Sequence, residues 1–275
     1  MAIVYDMHTH CDFSTDSKTP MKEQIEAAIA CGLAGICFTD HMDYDFPPDA
    51  IEYPGVKNPF VFNETEYKKN IIDYKNKYSK IWIGTGVECG LQPSESVCKK
   101  NRALISQPGW DFIIGSVHLV EQTDPYYPVF WEGKDASCSI RQYFETIWES
   151  IRLFSDFDTL GHMDYIVRYA PVGFAYNPYE YQDITDEILK FLIRKDISLE
   201  INSSGLFSTA SCENPHPVLV KRYLELGGEL ITIGSDAHMP ERIAGGFSVL
   251  KQHLKEAGLH QYVTYDQRKP VFHEL

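Results

Sequence analysis

Residues 3–10 read Ile3-Val4-Tyr5-Asp6-Met7-His8-Thr9-His10, a short β-type run that leads into two histidines spaced two apart. Side chains of an extended chain repeat with period two, so both imidazoles face one side, a geometry that suits two ligands of one metal ion. One such pair is weak evidence, but the pattern returns along the chain. The runs 35–39, 81–87, 112–117, 159–161 and 230–234 are β-type. Each ends in polar chemistry: Thr39-Asp40-His41, Val87-Glu88, Ser116-Val117-His118, Gly161-His162 and Ser235-Asp236-Ala237-His238. Further β-type runs lie at 197–201 and 262–265. Helix-type spacing marks 21–31, 64–78, 95–106, 139–155, 183–195, 217–226 and part of 240–257. Thr19-Pro20 reads as a cap followed by Pro at the first helical position.

Strict alternation of this kind implies a parallel sheet covered by helices. An open doubly wound sheet and a closed barrel both fit it. The barrel is favoured, because polar residues follow nearly every strand and the C-terminal strand ends of a barrel meet on one face. No linker, repeat or low-complexity stretch interrupts the chain, so residues 1–275 read as a single domain. No Gly-rich phosphate loop is present.

The 275 residues are 44% hydrophobic and 23% charged, a globular composition. Lys and Arg number 25 against 39 Asp and Glu, a net charge of −14. That surface repels a phosphate backbone, which makes nucleic acid a poor partner, yet a metal cluster can reverse the field inside one pocket and admit a small anion. No apolar run approaches the roughly 20 residues of a membrane helix. Residues 1–6 lack the basic and apolar regions of a signal peptide. Cysteines 11, 31, 37, 89, 98, 138 and 212 are odd in number and scattered, without C-x-x-C. They read as reduced, buried thiols of a cytoplasmic protein.

On a barrel, His8, His10, His41, His118, His162 and His238 share one rim with Asp16, Glu88 and Asp236. So many imidazoles and carboxylates are costly to gather without a cation. His216, His253, His260 and His273 read instead as helix-start, helix-surface or tail residues. Arg168, six residues after His162, is the leading candidate to clamp a small anionic substrate, and Arg242, four after His238, is the second. Asp40, next to His41, and Asp164, two residues after His162, read as acceptors that orient ligands, with helix or turn capping the equal alternative. The aromatic residues of loops 44–62 and 121–136 either pack those loops down or cover the substrate.

In chain order, H-x-H, T-D-H, V-E, G-S-V-H, G-H-M-D and G-S-D-A-H resemble the polymerase-and-histidinol-phosphatase (PHP) superfamily. Residues 111–118, Asp124-Pro125-Tyr126-Tyr127-Pro128, residues 158–165, residues 199–205 and Arg268-Lys269-Pro270-Val271-Phe272 resemble its histidinol-phosphate phosphatase branch. The resemblance runs from residue 6 to the C-terminus. It implies a distorted (β/α)7 barrel, TIM-like, with three divalent ions at the C-terminal strand ends. Carried over by motif, His8, His10, Glu88 and Asp236 hold the first ion. Glu88 bridges to the second, completed by His118 and His162, and Asp16, His41 and His238 hold the third. Asn202 is implied as a substrate contact.

Imidazole and carboxylate ligands together suit Zn, Mn or Fe, and a hydroxide bridging two ions is the implied nucleophile. The implied activity is hydrolysis of L-histidinol phosphate, a small phosphorylated substrate, in histidine biosynthesis. The alternative is another small phosphate ester or a nucleotide. An exonuclease needs a basic groove, an amidohydrolase-type enzyme fits the ligand order poorly, and a module without turnover fits poorly with a complete ligand set. One departure stands out. After N-[ST]-S-G the related phosphatases often carry a basic residue facing the phosphate, whereas Leu206-Phe207 follows here.

Overall fold

A computed structural model describes residues 2–47, 56 and 58–275. Its strands are β1 (Tyr5–Thr9), β2 (Gly35–Phe38), β3 (His41–Met42), β4 (Trp82–Gly90), β5 (Phe112–Ser116), β6 (Thr159–Leu160), β7 (Ser198–Asn202) and β8 (Ile231–Gly234). They pair in the order β1-β2-β4-β5-β6-β7-β8, all parallel, with β3 adding a short step against β4. Between β8 and β1, Asp236 N–H donates to the His8 carbonyl (2.8 Å) and His10 N–H to that of Ala237 (2.9 Å), so the barrel is nearly closed. The distorted barrel expected from the sequence is the fold observed.

Helices α1 (Met21–Ala30), α2 (Glu64–Lys77), α3 (Glu95–Ile105), α4 (Pro128–Trp131), α5 (Ala136–Leu153), α6 (Gln182–Arg194), α7 (Pro217–Glu225) and α8 (Phe247–Glu256) join the strands. Local chemistry starts several of them. Asn63 caps α2 through Glu66 N–H (3.1 Å) and Asp135 caps α5 through Cys138 N–H (2.9 Å). His216 caps α7 by accepting from Val218 N–H (3.2 Å), in line with its helix-start reading. The buried stripe Ile140, Phe144, Ile147 and Ile151 gives α5 its inner face.

Several boundaries differ from the sequence reading. β1 begins at Tyr5, so His8 lies inside the strand, and β4 runs past Glu88 to Gly90. The apolar run stops where the barrel interior turns polar, but the hydrogen-bonded ladder continues. Thr19 does not cap α1, because its hydroxyl donates to the His238 carbonyl (2.9 Å). Only a short run at 262–265 was expected at the C-terminus, yet β9 (Gln261–Asp266) and β10 (Lys269–Glu274) form an antiparallel hairpin. Its turn carries no Gly or Asn: Gln267 and Arg268 take φ of 49° and 61°. Arg268 is held there by Asp156 (2.9 Å) and Asp158 (3.1 Å). Val263 and Tyr265 join Met7, Cys37, Phe112 and Ile114 in one buried cluster. The reading of uniformly buried thiols also needs correction: Cys11, Cys37, Cys89 and Cys98 are buried, but Cys31 and Cys138 are exposed. Of the loop 44–62, residues 48–55 and 57 lie outside the described residues. No helix among the described residues is long and apolar enough to cross a membrane.

Buried Asp6 staples the seam. Its carboxylate accepts from Ser235 N–H (2.9 Å), the Ser235 hydroxyl (2.5 Å) and Ala244 N–H (3.0 Å). Burial raises its pKa to about 6, against the pull of those bonds. Asp6→Ala leaves these donors unpaired, an expected cost of about 2–4 kcal/mol. Thermal unfolding of the variant should show a midpoint lower by roughly 5–10 °C. An unshifted midpoint would show that the seam does not depend on Asp6.

Candidate metal centre

The C-terminal rim of the barrel gathers imidazoles whose orientation is fixed from behind. Nδ1 of His8 lies 2.6 Å from Glu200 Oε1, and the other Glu200 oxygen accepts from His162 N–H (2.7 Å). Nδ1 of His10 is 3.0 Å from the Ser14 hydroxyl, which donates to Asp40 (2.7 Å). Nδ1 of His118 is 2.7 Å from Asp43, and that of His238 is 3.0 Å from the Asp236 carbonyl. With one proton on Nδ1 in each ring, Nε2 points inward, where a cation would displace the second proton that the nearby carboxylates favour on His8, His118 and His238.

Those nitrogens converge on carboxylates. Glu88 Oε2 lies 3.3 Å from His8 Nε2 and 3.6 Å from His10 Nε2, while its Oε1 lies 3.3 Å from His118 Nε2 and 3.0 Å from His162 Nε2. Asp236 Oδ1 is 3.3 Å from His10 Nε2 and 3.7 Å from His8 Nε2. Asp16 Oδ2 is 3.1 Å from His238 Nε2 and 3.6 Å from His41 Nε2. The structure thus brings together every ligand residue expected from the sequence, with Glu88 between two groups. His41 also reaches Glu88 through Nδ1 (2.8 Å), so it links the Asp16 group to the rest.

The arrangement fits divalent cations. Four donor triples have ligand atoms within 4.8 Å of one another: His8, His10 and Asp236; His8, Glu88 and His162; His10, His41 and His238; His41, Asp43 and His118. Buried Glu88 Oε2, Asp43 Oδ2, His41 Nδ1, His162 Nδ1 and His238 Nε2 make no hydrogen bond of suitable angle, even where an oppositely charged atom lies as close as His41 Nδ1 does to Glu88 Oε2. Orphaned atoms of this kind are what cations would satisfy. Burial pushes Glu88 and Asp236 up, but the surrounding imidazoles hold both well below the carboxylate range. Burial, with His238 and His41 close by, lowers His10 to about 3. The carboxylates are therefore charged and His10 neutral near pH 7, the forms that bind metal.

Backbone detail places the last ligands. Asp236 takes φ 56°, a left-handed turn just beyond β8. A Cβ on Gly234 would lie 2.2 Å from His8 Cβ, so only glycine allows β8 this close to the histidine.

Arg168 is 8% exposed, not the ordinary surface Arg that its sequence position also allowed. It donates to Asn214 Oδ1 (2.7 Å), Asp236 Oδ2 (3.0 Å) and Asn202 Oδ1 (3.0 Å). Three of the five guanidinium N–H groups are thereby committed, which leaves two. Its head lies 5.3 Å from the Tyr165 ring centre. Asp164 touches no ligand ring; it accepts from Asn214 (2.6 Å) and His216 N–H (2.8 Å), and so acts on Arg168 through Asn214. Asp40 likewise reaches His10 only through Ser14, while it also accepts Cys11 N–H (2.8 Å). Asn202 is fully buried behind Arg168. Arg242 is exposed, stacked on Phe207 at 4.3 Å, and does not line the pocket.

The pocket, about 470 Å³, is lined by the ligand residues Asp16, His41, His118, His162, Asp236 and His238 together with Asp43, Phe46, Phe60, Asp124, Tyr165, Arg168 and Tyr169. Glu200, Asp43, Ser14 and Asn214 were given no role from sequence. Two of them left a signal: Glu200 is a lone acid in an apolar strand, and Asp43 repeats the period-two spacing from His41.

A family profile described as PHP domain matches residues 6–204. The Clostridium acetobutylicum protein named probable histidinol-phosphatase is 35% identical, covering 99% of this chain and 97% of its own. The histidinol-phosphatase of Lactococcus lactis is 32% identical over 96% and 95%. The crystal structure of Lactococcus lactis histidinol phosphate phosphatase, complexed with Zn, L-histidinol and phosphate, superposes with a TM-score of 0.87 at 29% identity. It covers 98% of this chain and 99% of that one.

The partners behind the rings set metal affinity. Glu200→Ala should weaken binding of at least one ion by about 10–100-fold, with Glu200→Gln restoring part of it. Metal content after equilibration with a limiting chelator reads this directly. Wild-type affinity in Glu200→Ala would remove the role.

Proposed function

The chain belongs to the PHP domain family, and from that premise we propose that it is a metal-dependent phosphomonoesterase that hydrolyses L-histidinol phosphate to L-histidinol and phosphate. The observation that carries this reading is one pocket in which grouped imidazole and carboxylate donors face a buried arginine with two free N–H groups. The full-length likeness to histidinol-phosphatases supports the substrate. The whole chain acts as one barrel domain.

Three divalent ions, Zn, Mn or Fe, are assigned to His8, His10, Glu88 and Asp236; to Glu88, His118 and His162; and to Asp16, His41 and His238. Bound there, they supply Lewis acidity and lower the pKa of water to near neutrality. The chain's own residues do the rest. Glu200, Ser14 and Asp43 hold the imidazole tautomers that point lone pairs inward. Arg168 offers a planar fork to the phosphate oxygens, in an orientation set by Asn214 and Asn202. Asp164 fixes Asn214 in turn. Phe60, Tyr165 and Tyr169 wall the pocket and limit water around the ester.

On metal-reconstituted protein, kcat/KM for L-histidinol phosphate should exceed that for other small phosphomonoesters by at least about a hundredfold, or roughly 2.7 kcal/mol. A flat profile would retain the phosphatase and discard the substrate. No phosphate release from any ester would discard both. Arg168→Ala should lower kcat/KM by about 10²–10³-fold, and Arg168→Lys should recover little because a point charge lacks the fork. Unchanged KM and kcat in Arg168→Ala would remove the clamp.

A further inference from the structure

One acid in the pocket belongs to none of the donor groups. Asp124 sits in the turn Asp124-Pro125-Tyr126-Tyr127-Pro128, half-buried, on the pocket wall. All its partners are neutral donors: Tyr126 N–H at 2.8 Å and the Tyr165 hydroxyl at 3.2 Å. Among the described residues, no Lys, Arg or His nitrogen lies within ion-pair distance of it. Burial raises its pKa to about 6, against the pull of the Tyr126 N–H and of nearby His118.

Its position relative to Arg168 is set by one side chain. The Tyr165 ring lies beside the Arg168 head (5.3 Å) and packs against the His118 and His162 rings (5.7 and 5.1 Å), while its hydroxyl reaches Asp124. The pocket therefore carries a cationic clamp over the face of a tyrosine and, at that tyrosine's hydroxyl, a carboxylate without an ion-pair partner. Phe46, Phe60 and Tyr169 add aromatic surface to the lining of the same pocket.

We propose that Asp124 is the specificity residue that binds the positive charge on the alcohol half of the substrate. The ligand class is a phosphomonoester of an amino- or imidazole-bearing alcohol, and the assignment rests on reading this site as a phosphomonoesterase. A partly desolvated carboxylate without a counter-ion is costly, and a cationic alcohol relieves that cost while a neutral one does not. The same logic places L-histidinol, whose amine and imidazole are the only cationic groups of the ester, with its charged side toward Asp124.

The test compares L-histidinol phosphate with glycerol 1-phosphate, an alkyl ester without a cation, in metal-loaded wild type and Asp124→Asn. Asparagine keeps the turn bond to Tyr126 N–H and removes the charge. The variant's preference for L-histidinol phosphate should fall by about 10–100-fold, mainly through KM, with glycerol 1-phosphate nearly unaffected. Calorimetry should show the same loss for L-histidinol and none for inorganic phosphate. A variant that discriminates as well as wild type overturns the proposal. So does an equal loss of kcat on both esters, which would mark Asp124 as a proton donor or a structural support. If Asp124→Asn does not fold, Asp124→Ser, which also suits the turn, gives the same comparison. A wild type with equal kcat/KM on both esters would instead overturn the substrate assigned to the site, a result separable from any effect of Asp124.

Discussion

The Nε2 atoms of His8 and His10 face each other at 3.0 Å. The Nδ1 atom of each ring is committed elsewhere, toward Glu200 and Ser14. Two nitrogens so placed need a positive charge between them, either the second proton that Glu200, Glu88 and Asp236 favour on His8 or a cation that displaces it, and the carboxylates of Glu88 and Asp236 beside them call for the same charge. The fold is built around this contact. The backbone carbonyl of His8 and the N–H of His10 make the bonds that close β8 onto β1. Gly234 must lack a side chain because His8 fills that space. Barrel closure and ligand spacing are therefore one constraint, set by the same few residues.

This explains why so much was legible in the sequence. A metal ligand must be His, Asp, Glu or Cys, and on a barrel it must stand near a C-terminal strand end, so His8, His10, Glu88, His118, His162 and Asp236 carry both signals at once. The residues that orient them obey no such rule. Glu200 meets His8 across 192 residues, and Asp43 meets His118 across 75. Any polar side chain in the right place can hold an Nδ1 proton. Asp164 shows the opposite error. It lies two residues after His162, a spacing that would share a face on a strand, yet its carboxylate turns to Asn214 because β6 has ended at Leu160 and Asp164 already opens the 3-10 turn Tyr165–Tyr169. The terminal hairpin was hidden for a further reason: its turn relies on Arg268 tied to two aspartates, not on a glycine.

The charge of the chain and that of the proposed substrate pose an apparent conflict. A protein of net −14 would have to admit a phosphate dianion. The conflict is resolved locally. Arg168 is buried because three acceptors surround it, and one of them is Asp236, which also faces His8 and His10. A single carboxylate thus fixes the distance between the phosphate clamp and the first ligand pair. The departure at Phe207 reads differently in this light. The phenyl ring is a stacking surface for Arg242 at the exterior, and the pocket's cationic function rests on Arg168.

Two of the left-handed residues of the chain stand at this site. Asp236 and Phe60 both take left-handed φ, near 56° and 60°, at a cost of about 1–2 kcal/mol each for residues other than glycine. Hydrogen bonds lock both. Asp236 N–H binds the His8 carbonyl (2.8 Å); Phe60 N–H binds Thr15 (2.8 Å), and its carbonyl accepts Asp43 N–H (2.8 Å). The first turn brings a carboxylate back over the histidine pair. The second presses a ring edge-on to His41 at 5.3 Å and joins the segment that holds Asp43, the partner of His118. Both strained residues line the pocket, so the cost is incurred on folding and the donors need little rearrangement when a ligand arrives.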